Sequence, residues 1–335
     1  MPRNATFVFD DPIPYQAAIR SGEAEIIPTG KGNFRAEWTR LDCGRLWLQY
    51  ASEALPRAVH TTVNPKRLVI IFLTDQRQAP IHYSGMELTS DAIVVGLPGS
   101  TRHIRSHQPC QWASLSLTQE DFSAASSALL SRELLHKGPP TRLVHPDPAH
   151  MARFVRLHAT TRQLAETAPE IFKHPEVPNA IQHELVYAMV RCLENETRAK
   201  VTAGWRHHTA IMKRFEDFVA NCDGPLHVED ICAAIGTSER MLRICCHEQL
   251  SMGPARYLWL RRMNLARRAL IDADPAKTCV TQLLTQYGFW QLGRFAVAYQ
   301  GLFGESPSKT LRGRSNPQRT FQKNFHRPPK DSENE

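Results

Sequence analysis

The feature that most constrains the fold is an internal repeat near the C-terminal end of the 335-residue chain. Apolar residues stand at i, i+3, i+4 and i+7 and are followed at once by glycine in Val228–Gly236, and again 52 residues later in Val280–Gly288. After each glycine come two apolar residues four positions apart and a proline eight residues further on. These are Leu242, Cys246 and Pro254 in the first unit, and Phe295, Tyr299 and Pro307 in the second, displaced by 53.

Each unit predicts a short amphipathic helix, a sharp turn and a second helix. The apolar spacing places one face of the first helix in a core. Gly236 and Gly288 can adopt the positive φ that a reversal after a helix needs. An ordinary helical hairpin would explain one such unit, but two matched units favour a pair of helix-turn-helix motifs.

The outward faces of the two second helices carry side chains suited to contacts with DNA bases. With Leu242 and Phe295 directed inward, polar side chains fall on the opposite faces. Arginine pairs with guanine and glutamine with adenine in the major groove. The predicted base-contacting residues are Arg240, Arg243, His247, Gln291 and Arg294. The predicted phosphate contacts are Ser238, Arg261, Ser306 and Lys309.

The segment between the units predicts a connecting helix. It begins at Pro254, which suits a first helical turn, and a stripe from Trp259 to Leu270 continues toward Asp272. About eighteen residues at a rise of 1.5 Å span roughly 27 Å, comparable to the ~34 Å between successive major-groove faces. One chain could thus place two helices in adjacent grooves, although the arginines of this segment could also form a solvated face.

The distribution of charge agrees with a polyanionic partner. The net charge is +8, and residues 206–313 hold 14 Lys and Arg against 10 Asp and Glu, whereas residues 1–205 hold 22 against 20. A concentrated basic excess is typical of nucleic-acid binding. On charge alone, a solvated basic surface is an equal alternative.

The N-terminal part predicts strands followed by helices. Short apolar runs bounded by turn residues, such as Leu68–Leu73, indicate an antiparallel sandwich or barrel at about residues 30–120. Helical periodicity then extends over about 121–198. Residues 199–206 lack periodicity and are the predicted linker, residues 207–313 form the basic domain, and residues 314–335 have the composition of a disordered tail.

The C-terminal residues resemble the AraC family of transcription regulators. The resemblance is carried by the two units and their connecting helix between Leu226 and Arg312. Within them, Tyr287–Phe295 reads Tyr-Gly-Phe-Trp-Gln-Leu-Gly-Arg-Phe and Leu302–Pro307 reads Leu-Phe-Gly-Glu-Ser-Pro, both similar to the family pattern. The resemblance implies double-stranded DNA as the partner and an N-terminal cupin-like β-barrel that senses a small-molecule effector. It also suggests RNA polymerase and a second copy of the chain as partners.

We therefore predict an α+β chain in which an antiparallel β-barrel with trailing helices precedes an all-α DNA-binding domain. Candidate lining residues of the barrel are Trp38, Trp47, Tyr83 and Arg102. The stripe Ile181, Leu185, Ala188 and Cys192 is either core or a dimer seam.

The sequence argues against an enzyme, a metal site and a bound cofactor. The N-terminal histidines His60, His82, His103 and His107 form no His-x-His cluster. Cys43, Cys110 and Cys192 are too widely separated for a zinc-activated thiol. We keep two hypotheses, a ligand-responsive transcription regulator and a small-molecule enzyme with an appended DNA-binding domain, and the absent metal cluster favours the first.

The remaining sequence features concern location. The longest apolar run has six residues, far fewer than the roughly 20 of a membrane span, and Asp10 and Asp11 interrupt the N-terminal segment. The eight cysteines show no C-x-x-C pair. We expect a cytoplasmic protein with reduced thiols and no contact with the membrane.

Overall fold

The computed structural model describes residues 4–132, 134, 141–194, 202–222, 225–313 and 320–322. Its strands are β1 (Ala5–Phe9), β2 (Gly22–Pro28), β3 (Ala36–Cys43), β4 (Leu46–Glu53), β5 (Arg57–Val63), β6 (Leu68–Leu73), β7 (Ile81–Tyr83), β8 (Met86–Leu88), β9 (Ile93–Gly96), β10 (Thr101–Arg105), β11 (Cys110–Leu117), β12 (Thr141–Val144) and β13 (Thr320–Gln322). The helices of the N-terminal part are α1 (Pro12–Ala18), α2 (Gln119–Leu130), α3 (Pro148–Thr167) and α4 (Glu176–Glu194), with a 3-10 helix at Pro169–Lys173. Those of the C-terminal part are α5 (Ala203–Ala220), α6 (Val228–Ile235), α7 (Glu239–Leu250), α8 (Pro254–Asp272), α9 (Val280–Gln286), α10 (Leu292–Phe303) and α11 (Pro307–Arg312).

The strands form two antiparallel sheets. The first sheet has the order β12-β9-β6-β11-β4-β3-β1-β13 and the second has the order β2-β5-β10-β7-β8. The predicted α+β class with an antiparallel N-terminal fold is confirmed. Among the described residues no ladder joins the two sheets, so the predicted barrel is not closed. Alternating hydrophobicity identifies strands but not their ladder partners, which is why the sequence could not distinguish these arrangements.

The first sheet is buried on both faces. Ile71, Val94 and Trp38 pack toward the second sheet, whereas Ile70 and Phe72 pack under the helices α2, α3 and α4. All six residues of β6 are buried for this reason, as is typical of a strand covered on both sides.

The sheets begin earlier than residue 30, because β1, α1 and β2 precede it. At the other end, Thr320–Gln322 pairs with β1, so these three residues of the predicted disordered tail form a strand. The predictions for residues 314–319 and 323–335 lie outside the described residues.

The apolar stripe on α4 belongs to the core. Leu185, Ala188 and Cys192 are at most 2% exposed, and Ile181 packs against the same cluster. These side chains are covered within a single chain, so the alternative that they form a dimer seam is wrong.

The C-terminal domain starts with a helix that overlaps the predicted linker. The Thr202 hydroxyl accepts a hydrogen bond from the backbone N–H of Trp205 at 3.1 Å and caps α5. Ala203–Arg206 are therefore the first turn of α5, while residues 199–201 lie outside the described residues. The periodicity was missed because the buried face of α5 begins only at Ile211.

The repeat forms two helical pairs, α6–α7 and α9–α10, separated by α8. Gly236 has φ 65° and ends α6, and Gly288 has φ 73° one residue after the C-cap of α9. The second turn, Tyr287–Gln291, is two residues longer than the first, Gly236–Ser238, because one residue is inserted and α9 is one residue shorter than α6.

The C-terminal helices pack on the outer face of the second sheet. Helix α7 lies against β10 and β7, and α8 lies against β2. Ile27 and Ala58 of the sheet join the apolar core of the helical domain. In the described part of the chain, no helix is both long and apolar enough to span a bilayer.

Candidate functional site

Helix α7 presents a polar face to solvent. Its inward residues Leu242 and Cys246 are fully buried. Arg240, Arg243 and His247 are exposed on the opposite face, where the sequence pattern places them. The major groove of DNA admits an α-helix, and the three side chains on this exposed face can donate hydrogen bonds to base edges there.

Helix α10 has the equivalent face in the second unit. Phe295 and Tyr299 are buried, with their ring centroids 5.4 Å apart. Gln291 at the N-cap position and Arg294 in the first turn are both exposed. The structure thus gives each unit an exposed set of predicted base-contacting side chains.

Apolar side chains share these exposed faces or lie next to them. Trp290 is 75% exposed, Val297 is 76% exposed, and Ile244 is 43% exposed. Large apolar side chains at the surface commonly mark interaction sites, and apolar groups can contact the thymine methyl. Helical spacing from Arg240 and Arg294 predicts the outward positions of Ile244 and Val297.

Two of the predicted phosphate contacts lie at helix N-termini. The Ser238 hydroxyl caps α7 by accepting from the backbone N–H of Met241, and the Ser306 hydroxyl caps α11 by accepting from that of Lys309, each at 3.2 Å. A helix N-terminus favours an anion. The Lys309 side chain is exposed beside the second of these sites.

Arg261 is not available to DNA and is removed from the predicted phosphate contacts. Its Nε lies 3.3 Å from a Glu25 carboxylate oxygen on β2. Its Nη1 donates to the backbone carbonyl of Val219 at 3.0 Å. The N-terminal domain covers this side of α8, a tertiary contact that the local sequence does not encode.

The other arginines of α8 divide between two roles. Arg267 is 8% exposed and pairs with Asp11 and Glu305, so its role is structural. Arg268 is exposed, and Arg256 is exposed with its guanidinium 4.4 Å from the ring centroid of the partly buried Trp259. Helix α8 has 19 residues, a length of about 28 Å.

A small cavity lies between the two sheets. Its walls include Ile26, Ile71 and Ile104 with the polar residues Arg57 and Arg102, and its volume is about 40 Å³. The Nε and Nη1 atoms of Arg102 have no hydrogen-bond partner among the described residues. A buried guanidinium without acceptors favours a ligand that brings an acceptor or an anion.

The four residues predicted to line the barrel lie in different places in the structure. Arg102 lines the cavity, and its guanidinium carbon lies 5.7 Å from the ring centroid of the buried Tyr83. Burial raises the pKa of Tyr83 to about 12, so the phenol is neutral. Trp38 is core, and Trp47 lies between the guanidinium groups of Arg20 and Arg67 away from the cavity.

Two of the N-terminal histidines lie side by side in the fold. His60 on β5 and His103 on β10 are direct cross-strand partners, with ring centroids 5.0 Å apart. Together with Glu216 of α5, they place one potential ligand atom each within 4.8 Å of the others. Residues 43 positions apart in the sequence are thus joined by antiparallel pairing, which forms a cluster of potential metal ligands that the spacing of the histidines along the sequence does not indicate.

The buried thiols of the C-terminal domain have structural roles. Burial raises the pKa of Cys245 to about 11 and raises that of Cys246 further. All eight cysteines are free of disulfide bonds. Neutral buried thiols behave as small apolar side chains, as the inward position of Cys246 requires.

Comparisons with known proteins give a family model, curated relatives and solved structures similar to this chain. Residues 231–313 match the family model described as a helix-turn-helix domain. The probable thc operon regulatory protein of Rhodococcus erythropolis is 33% identical over 140 residues, which cover 42% of each protein. The XylDLEGF operon transcriptional activator 3 of Pseudomonas putida is 29% identical over 120 residues, which cover 36% of this chain and 35% of that protein.

The matched segments span less than half the length of these curated relatives. Among solved structures, the AraC-like transcriptional activator CuxR aligns with 78% of this chain and 95% of its own, with 15% identity and a TM-score of 0.43.

Proposed function

We propose that this chain, whose C-terminal helices match a helix-turn-helix family model over residues 231–313, is a sequence-specific DNA-binding transcription regulator of the AraC type. The observation that carries the proposal is the pair of exposed faces on α7 and α10, each with donors suited to base edges and each backed by a buried apolar face. The relatives matched by this domain are described as operon regulators and activators, so we propose no enzymatic activity.

In this proposal, the two helices enter adjacent major grooves of double-stranded DNA. Arg240, Arg243 and His247 contact bases in one groove, and Gln291 and Arg294 contact bases in the next. Ser238, Ser306 and Lys309 position the domain on the phosphates. A chromosomal target agrees with the expected cytoplasmic location.

The first test is the dependence of DNA affinity on salt. Fragments of the source genome retained by the purified chain would be sequenced, and the enriched site used for titrations. Between about 50 and 200 mM salt, affinity should fall by about 3.5-fold for each cationic side chain that neutralises a phosphate. A flat affinity over this range, or no enriched sequence, would contradict the proposal.

Replacing Arg294 with Ala tests base contact in the second unit. We expect a loss of about 1–3 kcal/mol on the enriched site and a relaxed preference at one base position, because a bidentate pair with a base is lost. The control is Lys173→Ala in the N-terminal part of the chain, whose exposed side chain pairs with Glu170 outside the two units and should leave affinity unchanged. An equal loss on random DNA would show that Arg294 contacts a phosphate.

We further propose that a small-molecule effector occupies the cavity between the sheets. The unpaired Nε and Nη1 of Arg102 support a ligand with an acceptor or anionic group. The present cavity is smaller than the several hundred Å³ typical of ligand sites, so binding requires side chains to move apart. A thermal-shift screen of small organic acids should find compounds that stabilise the chain but not its Arg102→Gln variant, and hits that stabilise both equally would place the ligand elsewhere.

The surface between α2 and α4 supports a homodimer. Leu129 is 41% exposed and Tyr187 is 37% exposed, and both line one groove between these helices. Dimerisation would raise affinity for paired sites through multivalency. Sedimentation would test this, because the chain should form a dimer and its Tyr187→Glu variant should not.

RNA polymerase is a further partner that the regulator role implies.

A further inference from the structure

The cluster His60, His103 and Glu216 lies where the second sheet meets the DNA-binding helices. His60 and His103 alternate along their strands with Val59 and Ile104, which belong to the core between the sheets. The two imidazoles therefore lie on the outer face of the sheet, separate from the cavity of the proposed effector. Glu216 belongs to α5, so the cluster joins the two domains.

The ligand atoms are oriented by their surroundings. Gln249 of α7 donates through Nε2 to the hydroxyl of Thr209 at 3.4 Å, which directs its Oε1 toward His103 Nδ1 at 3.3 Å. His103 thus carries a proton on Nδ1, and its Nε2 lies 2.9 Å from Oε1 of Glu216. A metal-binding histidine characteristically donates its other ring N–H to a carbonyl in this way.

The other contacts of Glu216 and His60 leave ligand atoms of the cluster available to a cation. The second carboxylate oxygen of Glu216 accepts from the Tyr257 hydroxyl at 3.2 Å. The Nε2 of His60 is buried and has no hydrogen-bond partner in the described ranges. The neighbouring Glu25 is already paired with Arg261, so it does not neutralise a cation at the cluster.

We propose that His60, His103 and Glu216 bind one divalent transition-metal ion of the Zn²⁺ class and so link the sensing domain to the DNA-binding domain. Imidazole nitrogen and carboxylate oxygen are ordinary zinc ligands, and three protein ligands leave the fourth position to water or an added ligand.

The geometry is close to what a tetrahedral ion needs. Bonds of about 2.1 Å place ligand atoms about 3.4 Å apart. His103 Nε2 lies 2.9 Å from Glu216 Oε1, and all the ligand atoms lie within 4.8 Å of one another. The value of about 3.4 Å falls between these two distances, so small side-chain rotations would bring the ligand atoms to the spacing that the ion needs. His60 lines a groove of about 390 Å³ between β2 and α8, which gives an ion a path from solvent.

The experiment uses the full chain after treatment with a chelator, titrated with Co²⁺ and then Zn²⁺. We expect one ion per chain. The visible spectrum of bound Co²⁺ should show the bands expected for nitrogen and oxygen ligands and no thiolate charge-transfer band. Added Zn²⁺ should displace the Co²⁺. His60→Ala should weaken binding more than about 100-fold, and Gln249→Ala, which frees the His103 ring, about 10- to 100-fold.

The matched control is His82→Ala, because His82 packs against His107 on the same sheet but outside the cluster. It should keep full affinity. Zn²⁺ should also raise the unfolding temperature of the native chain and of His82→Ala, but not that of His60→Ala.

Three outcomes would overturn the proposal: no uptake of metal, uptake that His60→Ala leaves unchanged, or a thiolate band that assigns the ion to cysteines. The first of these would mean that His103 and Glu216 form only an ion pair. DNA binding, measured separately on the chelated chain, keeps a failure of this proposal distinct from a failure of the proposed regulator function.

Discussion

Replacing Phe295 with Ala is expected to unfold the C-terminal domain and abolish DNA binding through both helical pairs. The ring is 4% exposed and its centroid lies 4.4 Å from that of Phe289 and 5.4 Å from that of Tyr299. Removing a buried phenyl group costs about 3–5 kcal/mol, comparable to the whole stability of a marginal domain. Both units share one apolar core, so the loss is not confined to the second.

The comparison variant is Cys246→Ala, at the second inward position of α7, which corresponds to Tyr299 in the second unit. Cys246 is fully buried, and its thiol lies 3.8 Å from the sulfur of Met212. Only a sulfur atom is removed, so we expect a loss of about 1 kcal/mol and a folded domain.

Circular dichroism during thermal unfolding and footprinting of each half-site would compare the two variants. If Cys246→Ala unfolded while Phe295→Ala remained folded, the inward faces of α7 and α10 would be misassigned, and with them the proposed base-contacting residues.

Replacing Arg267 with Met is expected to destabilise the junction between the domains by about 3–5 kcal/mol. Arg267 donates through Nη1 to Asp11 at 2.5 Å, and its Nη2 lies 3.7 Å from Glu305, which precedes α11. Asp11 and Arg267 are both under 10% exposed. Removing one partner leaves the other charge buried without compensation, which is the costly case for an ion pair.

A double-mutant cycle separates this effect from lost packing. Asp11→Asn alone should also be destabilising, whereas Asp11→Asn with Arg267→Met should recover part of the loss, because no unpaired charge remains. Asn retains a side-chain oxygen for the hydrogen bond that the Ile13 N–H donates to Asp11 Oδ1 at 2.8 Å. Chemical unfolding monitored by tryptophan fluorescence gives the free energy of unfolding of the native chain, of the two single variants and of the double variant.

The control pair is Arg153 and Glu184, whose side chains are 47% and 58% exposed. Breaking this pair should cost no more than about 1 kcal/mol, because water replaces the lost contact. If the Arg267 variants cost no more than this control, the buried pair would not hold the two domains together.

Local pattern was sufficient to predict the helices of the two helix-turn-helix units. The outward placement of Arg240 and Arg294 follows from apolar spacing within each helix, and the reversals follow from Gly236 and Gly288. Both depend on interactions within a few residues along the chain, and such interactions are encoded in the order of residues.

Local pattern failed where distant segments meet. Arg261 was predicted to contact phosphate, but it pairs with Glu25 across the domain boundary. His60 and His103 form no His-x-His cluster in the sequence, but the register of β5 and β10 makes them neighbours. In each case the deciding contact joins residues far apart in sequence, and no periodicity along one segment records it.

The sequence by itself therefore determined the two helix-turn-helix units, their connecting helix and their exposed polar faces, because helix period and turn chemistry are local properties. Only the tertiary structure decided that the sheets form an unclosed sandwich and that the helical domain packs on the outer face of the second sheet. It alone brought Glu216 to the two histidines and Arg267 to Asp11. Strand partners and domain contacts depend on complementary surfaces from separate segments, whose match exists only in the folded chain.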